Sequence, residues 1–186
     1  MKTPEIKQAV KRAADGDEAA AGLLFDAYYP RVYRYALAKL RSPVDAEDVV
    51  AETFAKVLAD LGRFRWKGAG FEAWLFRIAY NVIVDHVRRR SREQPSYEDL
   101  AGVEVADVDT PESAAMQSAT AEELRALLDR LAPEQKEALV LRFAGGLDSN
   151  EVARTMGKTP NAVRQLQFRA LSSLRRMMQL DDVRVA

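Results

Sequence analysis

The chain has 186 residues, 48% of them hydrophobic and 30% charged, enough for a packed core and a soluble surface. It has no cysteine and one histidine, which excludes disulfides, cysteine-based zinc sites and nucleophiles, and His-rich metal sites. Its longest clean apolar run, residues 19–25, is far too short for a membrane span, and no basic, apolar, cleavage-site series opens the chain. Composition therefore predicts a cytoplasmic protein without metal, cofactor or membrane contact.

In chain order, a short helix is expected after Pro4, ending near Asp15-Gly16. A second starts near Asp17 and runs towards Leu40, with Pro30 as a bend or break. A third has Ser42 as N-cap and Pro43 in its first turn, and reaches about Leu61. A fourth covers about Phe71 to Arg90. Four more follow: about 121–131, 133–144, 149–156 and 159–178, punctuated by Gly145-Gly146 and Gly157. No stretch alternates with period two, so the fold class is all-α.

The 28 bases and 28 acids cancel overall but are segregated. Residues 25–92 are net +5, residues 93–123 hold nine acids and no base, and residues 124–180 are again net +5. Two basic blocks around an acidic segment suggest a polyanionic partner. The acidic segment carries Pro95, Pro111 and repeated Ser and Thr. It has too little apolar surface to offset its ordering entropy, and it reads as a flexible linker over 93–120. Two small helical domains, 1–92 and 121–180, are expected on either side.

Residues 149–178 have helix-turn-helix spacing, with Thr159 as N-cap and Pro160 at the first helical position. Stepping about 100° per residue, Val163, Leu166, Ala170, Leu174 and Met177 share one face. Asn161, Arg164, Gln165, Phe168, Ser172 and Arg175 share the opposite one, and such side chains suit base edges and thymine methyls. The bland alternative is a helical hairpin with a solvated face.

In the third helix, Val50, Phe54, Val57, Leu58 and Leu61 oppose a carboxylate stripe of Asp45, Asp48 and Glu52. Such a stripe repels DNA; it suits a basic protein surface, or plain solvent. The fourth helix is apolar most of the way round, with Trp74, Leu75, Phe76, Ile78, Ile83 and Val87. One polar seam remains: Arg77, Asn81, Asp85 and Arg88. The run Arg88-Arg89-Arg90 adds a phosphate-binding end. Before it, Arg63, Arg65 and Lys67 interleave with Phe64 and Trp66, a pattern for unpaired nucleic acid, where rings stack on bases; the rings could equally cap the core. His86 reads as a packed side chain, no phosphate-loop pattern occurs, and no constellation supports an enzyme.

Residues 45–54 (DAEDVVAETF) look like region 2.2 of bacterial sigma factors. Residues 71–81 (FEAWLFRIAYN), then Asp85 and Arg88-Arg89-Arg90, resemble regions 2.3 and 2.4 of the extracytoplasmic-function (ECF) type. Residues 131–135 (LAPEQ), Leu139 to Phe143 and the helix-turn-helix resemble region 4. The resemblance implies a protein that binds core RNA polymerase and directs promoter-specific initiation. It implies contact of Asp45, Asp48 and Glu52 with the clamp helices of the largest subunit, and of the second domain with the flap of the second subunit. It further implies minus-10 binding by Arg63, Phe64, Arg65, Trp66, Lys67, Arg77, Asn81, Asp85, Arg88 and Arg89. Minus-35 reading falls to Lys158, Thr159, Asn161, Arg164, Gln165, Phe168 and Arg169, and an anti-sigma protein becomes a further partner. The alternative is a conventional helix-turn-helix regulator that never joins polymerase.

Overall fold

A computed structural model describes residues 3–66, 70–93 and 122–185, and most of the expected linker lies outside them, as does Lys67. The described residues form eight α-helices and no strand. These are α1 (Thr3–Ala14), α2 (Glu18–Leu40), α3 (Pro43–Asp60), α4 (Phe71–Glu93), α5 (122–129), α6 (Pro133–Phe143), α7 (Ser149–Met156) and α8 (Pro160–Val185). A 3-10 turn, Leu61–Arg63, follows α3.

Local chemistry sets the boundaries. Asp17 caps α2 by accepting the Ala20 N–H at 3.0 Å, and Ser42 caps α3 by accepting that of Asp45 at 3.2 Å. The expected bend or break at Pro30 does not end α2, which runs on to Leu40. Pro30 and Asp26 are both exposed, so the carbonyl four residues back that loses its N–H partner faces water. Arg41 ends α2 in the left-handed region, with φ 57°.

The first half packs α2, α3 and α4 around Leu24, Val32, Tyr35, Val50, Phe71 and Phe76. Val87, expected among the apolar faces of α4, is instead 50% exposed, because α4 runs past the end of the core there. The second half has a small cluster of Leu131, Leu139, Ala170, Leu174 and Met177. Its other apolar face, with Leu141, Leu147, Val152 and Val163, joins the core of the first half. Arg31 of α2 donates from Nε to the Gly145 carbonyl (2.9 Å) and from Nη2 to that of Gly146 (3.0 Å), closing the C-terminal end of α6. The halves approach closely at Gly145: a Cβ there would lie 2.9 Å from Cε1 of Phe76 and 2.7 Å from the Leu141 carbonyl oxygen.

Candidate nucleic-acid interface

On α3, burial of Ala46, Val49, Val50, Thr53, Phe54 and Val57 turns the acidic side chains outward. Their surroundings differ. Asp45 pairs with Arg90 and lies 3.2 Å from Nε2 of His86. Glu52 is held by Lys56 at 2.8 Å and by Arg89 at 2.7 Å, and hydrogen bonds from these two cations lower its pKa. Asp48 is exposed and makes no ion pair among the described residues. The stripe thus has one free carboxylate at its centre and two flanking ones already joined to the basic end of α4.

The segment before α4 is an aromatic knot. Phe64 lies 4.8 Å from Trp74, 5.1 Å from Trp66 and 5.8 Å from Phe71, centroid to centroid. Phe64 is half-buried against the core, whereas Trp66 is 37% exposed, with the Lys7 ammonium 5.3 Å over its ring. Arg65 folds back, donating to the carbonyls of Gly62 (2.9 Å) and Phe64 (3.1 Å). Arg63 points to solvent, 3.7 Å from Asp60. Under the knot, Tyr28 donates to Glu72 at 2.7 Å; burial and that carboxylate push its phenol pKa far up.

The polar seam of α4 is exposed at Arg77, Asn81, Asp85 and Arg88. Arg77 and Asn81 line a cavity of about 360 Å³ between the two halves, while Asp85 and Arg88 lie beyond it. Lys39 and Tyr80 share this cavity, and no motif in the sequence marked either. Lys39 meets its partner Glu137 across 98 positions of chain, a separation that no local pattern reveals.

In the second half, α7 carries a capping box. Asp148 accepts the N–H groups of Asn150 (2.7 Å) and Glu151 (2.8 Å), and Glu151 accepts that of Asp148 (2.7 Å). Burial raises the Glu151 pKa. Gly157 turns the chain at φ 65°, and Thr159 caps α8 by accepting the Ala162 N–H at 3.2 Å. Val163, Ala170, Leu174 and Met177 are buried, with Leu166 half-buried. Asn161, Arg164, Gln165, Phe168 and Arg169 are exposed on the far side, Phe168 at 72%. Lys158 turns away from that face and pairs with Glu134 at 2.7 Å, inside the interdomain cavity.

The sequence profile of Sigma-70 region 2 matches residues 24–93, and that of Sigma-70 region 4 matches residues 121–174. The ECF RNA polymerase sigma factor BldN of Streptomyces coelicolor is 38% identical over 181 residues, which span 96% of this chain and 67% of BldN. The chain belongs to the ECF family of RNA polymerase sigma factors. A second relative of this sigma factor, ECF sigma factor ShbA of Streptomyces griseus, is 36% identical over 95% of the chain and 97% of ShbA. Among solved structures, CnrH in complex with the cytosolic domain of CnrY superposes with a TM-score of 0.72 at 23% identity, covering 95% of this chain and 99% of that one. RpoE of Bartonella quintana in complex with the anti-sigma factor NepR gives 0.66 at 22%, covering 86% and 97%. These two show a shared fold. In this sigma factor the region 2 match takes in the acidic face of α3, the aromatic knot and the α4 seam, and the region 4 match takes in most of the helix-turn-helix.

Proposed function

We propose that this sigma factor joins core RNA polymerase and brings it to promoters through two grips of different kinds. The acidic face of α3, with Asp48 at its centre, docks on the clamp helices of the largest subunit, and the second half meets the flap of the second subunit. The N-terminal part of α8 enters the major groove of the minus-35 element, with Asn161, Arg164, Gln165 and Phe168 towards the bases. The aromatic knot and the α4 seam hold the minus-10 element as its strands part. Unstacking costs a few kcal/mol per step and base–aromatic stacking returns ~1–3 kcal/mol per base, so capture of one or two bases biases opening without ATP. The complexes of CnrH and RpoE with their partners support an anti-sigma protein as a further ligand.

The observation that carries this reading is the face of α8. Its first turns present Asn161, Arg164, Gln165 and Phe168 to solvent while Val163 and Ala170 are buried behind them, directly after the glycine turn. The test is transcription by purified core polymerase over a genomic promoter library. Discrete start sites that depend on this protein are expected. If none appears, the reading falls, and absence of co-elution with core polymerase would favour an independent helix-turn-helix regulator.

A further inference from the structure

The site that the proposed function gives to the opened strand owes one of its charges to a helix that no motif marked. The loop before α4 interleaves bases with rings, but its two described bases do not lie on the rings. Arg65 donates to the carbonyls of Gly62 and Phe64, and Arg63 lies 3.7 Å from Asp60. The cation over Trp66 is Lys7 of α1, 5.3 Å from the ring centroid.

Packing puts α1 there. Its Ile6, Ala9 and Val10 are buried. They join the core together with Leu61, the first residue of the turn that leads into the knot. The Phe64 N–H bonds back to the Leu61 carbonyl at 3.1 Å, so helix, turn and rings are held together. Lys7 is left exposed on the outer side of α1. Arg12 of the same helix is paired with Asp17 at 2.6 Å, whereas Lys7 makes no ion pair among the described residues. Glu5, the acid of α1, stands two residues from Lys7, about 200° round the helix. The side of α1 that meets Trp66 is therefore basic.

A cation over an indole is attracted by the ring quadrupole and does not use up its N–H donors in hydrogen bonds. The Lys7 ammonium keeps those donors for an anion. Sites for single strands combine rings that stack on bases with cations that follow the backbone, because each stacked base brings its phosphate alongside. Phe64 is half-buried and Trp66 is 37% exposed, so Trp66 is the ring of this pair that a base can reach. A lysine suits the task, being a compact charge on a flexible stem that can pass from ring to phosphate.

We infer that Lys7 is a further DNA-contacting residue of the minus-10 site, binding a backbone phosphate of the opened strand beside the base stacked on Trp66. This rests on the reading that the aromatic knot captures that strand. The region 2 match begins at residue 24, so α1 adds this contact from outside the matched segment.

The test uses the full chain joined to core polymerase, with a fluorescent fork-junction DNA unpaired over the minus-10 element of a start site from the promoter library. The variants are Lys7→Gln, Lys7→Arg and Trp66→Ala. Affinity is titrated against salt, and each phosphate of the unpaired strand is replaced in turn by a neutral methylphosphonate. Lys7→Gln is expected to bind about tenfold more weakly, with a slope of log affinity against log salt shallower by ~0.7. Lys7→Arg should stay close to the wild type. Neutralising one phosphate, or two adjacent ones, should weaken the wild type and leave Lys7→Gln unaffected. An unchanged slope, or losses that simply add at every phosphate, would overturn the inference, since Lys7 would then act on the ring alone. If Trp66→Ala weakens binding and Lys7→Gln does not, only the inference fails. If Trp66→Ala binds as the wild type does, or the library yields no start site, the capture reading fails first and takes the inference with it.

Discussion

At the scale of single residues, identical side chains acquire different roles from their neighbours. Asp45, Asp48 and Glu52 form one stripe by helical spacing, but α4 takes Asp45 and Glu52 into ion pairs and leaves Asp48 free. Asp48→Arg is therefore expected to abolish co-elution with core polymerase while leaving the circular dichroism spectrum unchanged, since no ion pair among the described residues depends on that carboxylate. Retained co-elution would remove α3 from the docking surface. On α8, Arg164 is exposed among the residues that face the proposed duplex. Arg164→Ala should lower discrimination at one upstream base pair by ~1–3 kcal/mol, read from binding to a set of single-base promoter variants. An unaltered preference at every upstream position would take Arg164 out of the reading set. Lys158 shows the opposite case: the resemblance implied DNA contact for it, and in the structure it pairs with Glu134.

At the scale of elements, most boundaries were legible because they depend on groups only three or four residues apart. Ser42 with Pro43, Asp17, and Gly157 before Thr159 each act through backbone bonds within one turn. The capping box of α7, which the structure adds, works at the same short range. Asp148 is exposed and satisfies two N–H groups that would otherwise turn to solvent. Asp148→Ala should cost about 1 kcal/mol in denaturant unfolding, through a lower midpoint at unchanged slope. A variant as stable as the wild type would show that tertiary packing alone holds this eight-residue helix. Where local reading failed, long-range contact was the reason. Val87 looked like part of an apolar surface, but it is 50% exposed, and α3 meets that end of α4 through ion pairs to Arg89 and Arg90 instead. Phe64 and Trp66 could not be separated by sequence, and only the position of Trp74 turns one inward and leaves the other partly open.

At the scale of the whole molecule, two buried phenols report on the packing. Burial, reinforced by Glu72 beside Tyr28 and Glu137 beside Tyr35, raises both pKa values well above the ordinary tyrosine range. An unfolded phenol ionises near pH ~10, and the folded state holds these protons beyond that. Their contribution to stability is therefore complete below pH ~10 and declines as pH rises past it. In an alkaline titration followed by ultraviolet absorbance, two of the six tyrosines should ionise only together with loss of helical signal. Ionisation of all six before any unfolding would contradict the burial of Tyr28 and Tyr35. Because Tyr35 lies at the seam between the halves, Tyr35→Phe isolates the contribution of its hydrogen bond to Glu137 while the buried ring is kept.

The sequence by itself determined the helices, their caps, the two basic blocks and the outward faces of α3 and α8, because periodicity and capping are local and every such signal lies within one or two turns. Tertiary structure alone decided that Glu137 lies buried between Tyr35 and Lys39, that Arg77 and Asn81 of the α4 seam line a cavity between the halves, and that among the described residues Asp48 rather than Asp45 or Glu52 is left without an ion pair. Those outcomes depend on groups brought together from some 40 to 100 residues away in the chain, and no pattern of spacing within one helix records which distant helix will cover it.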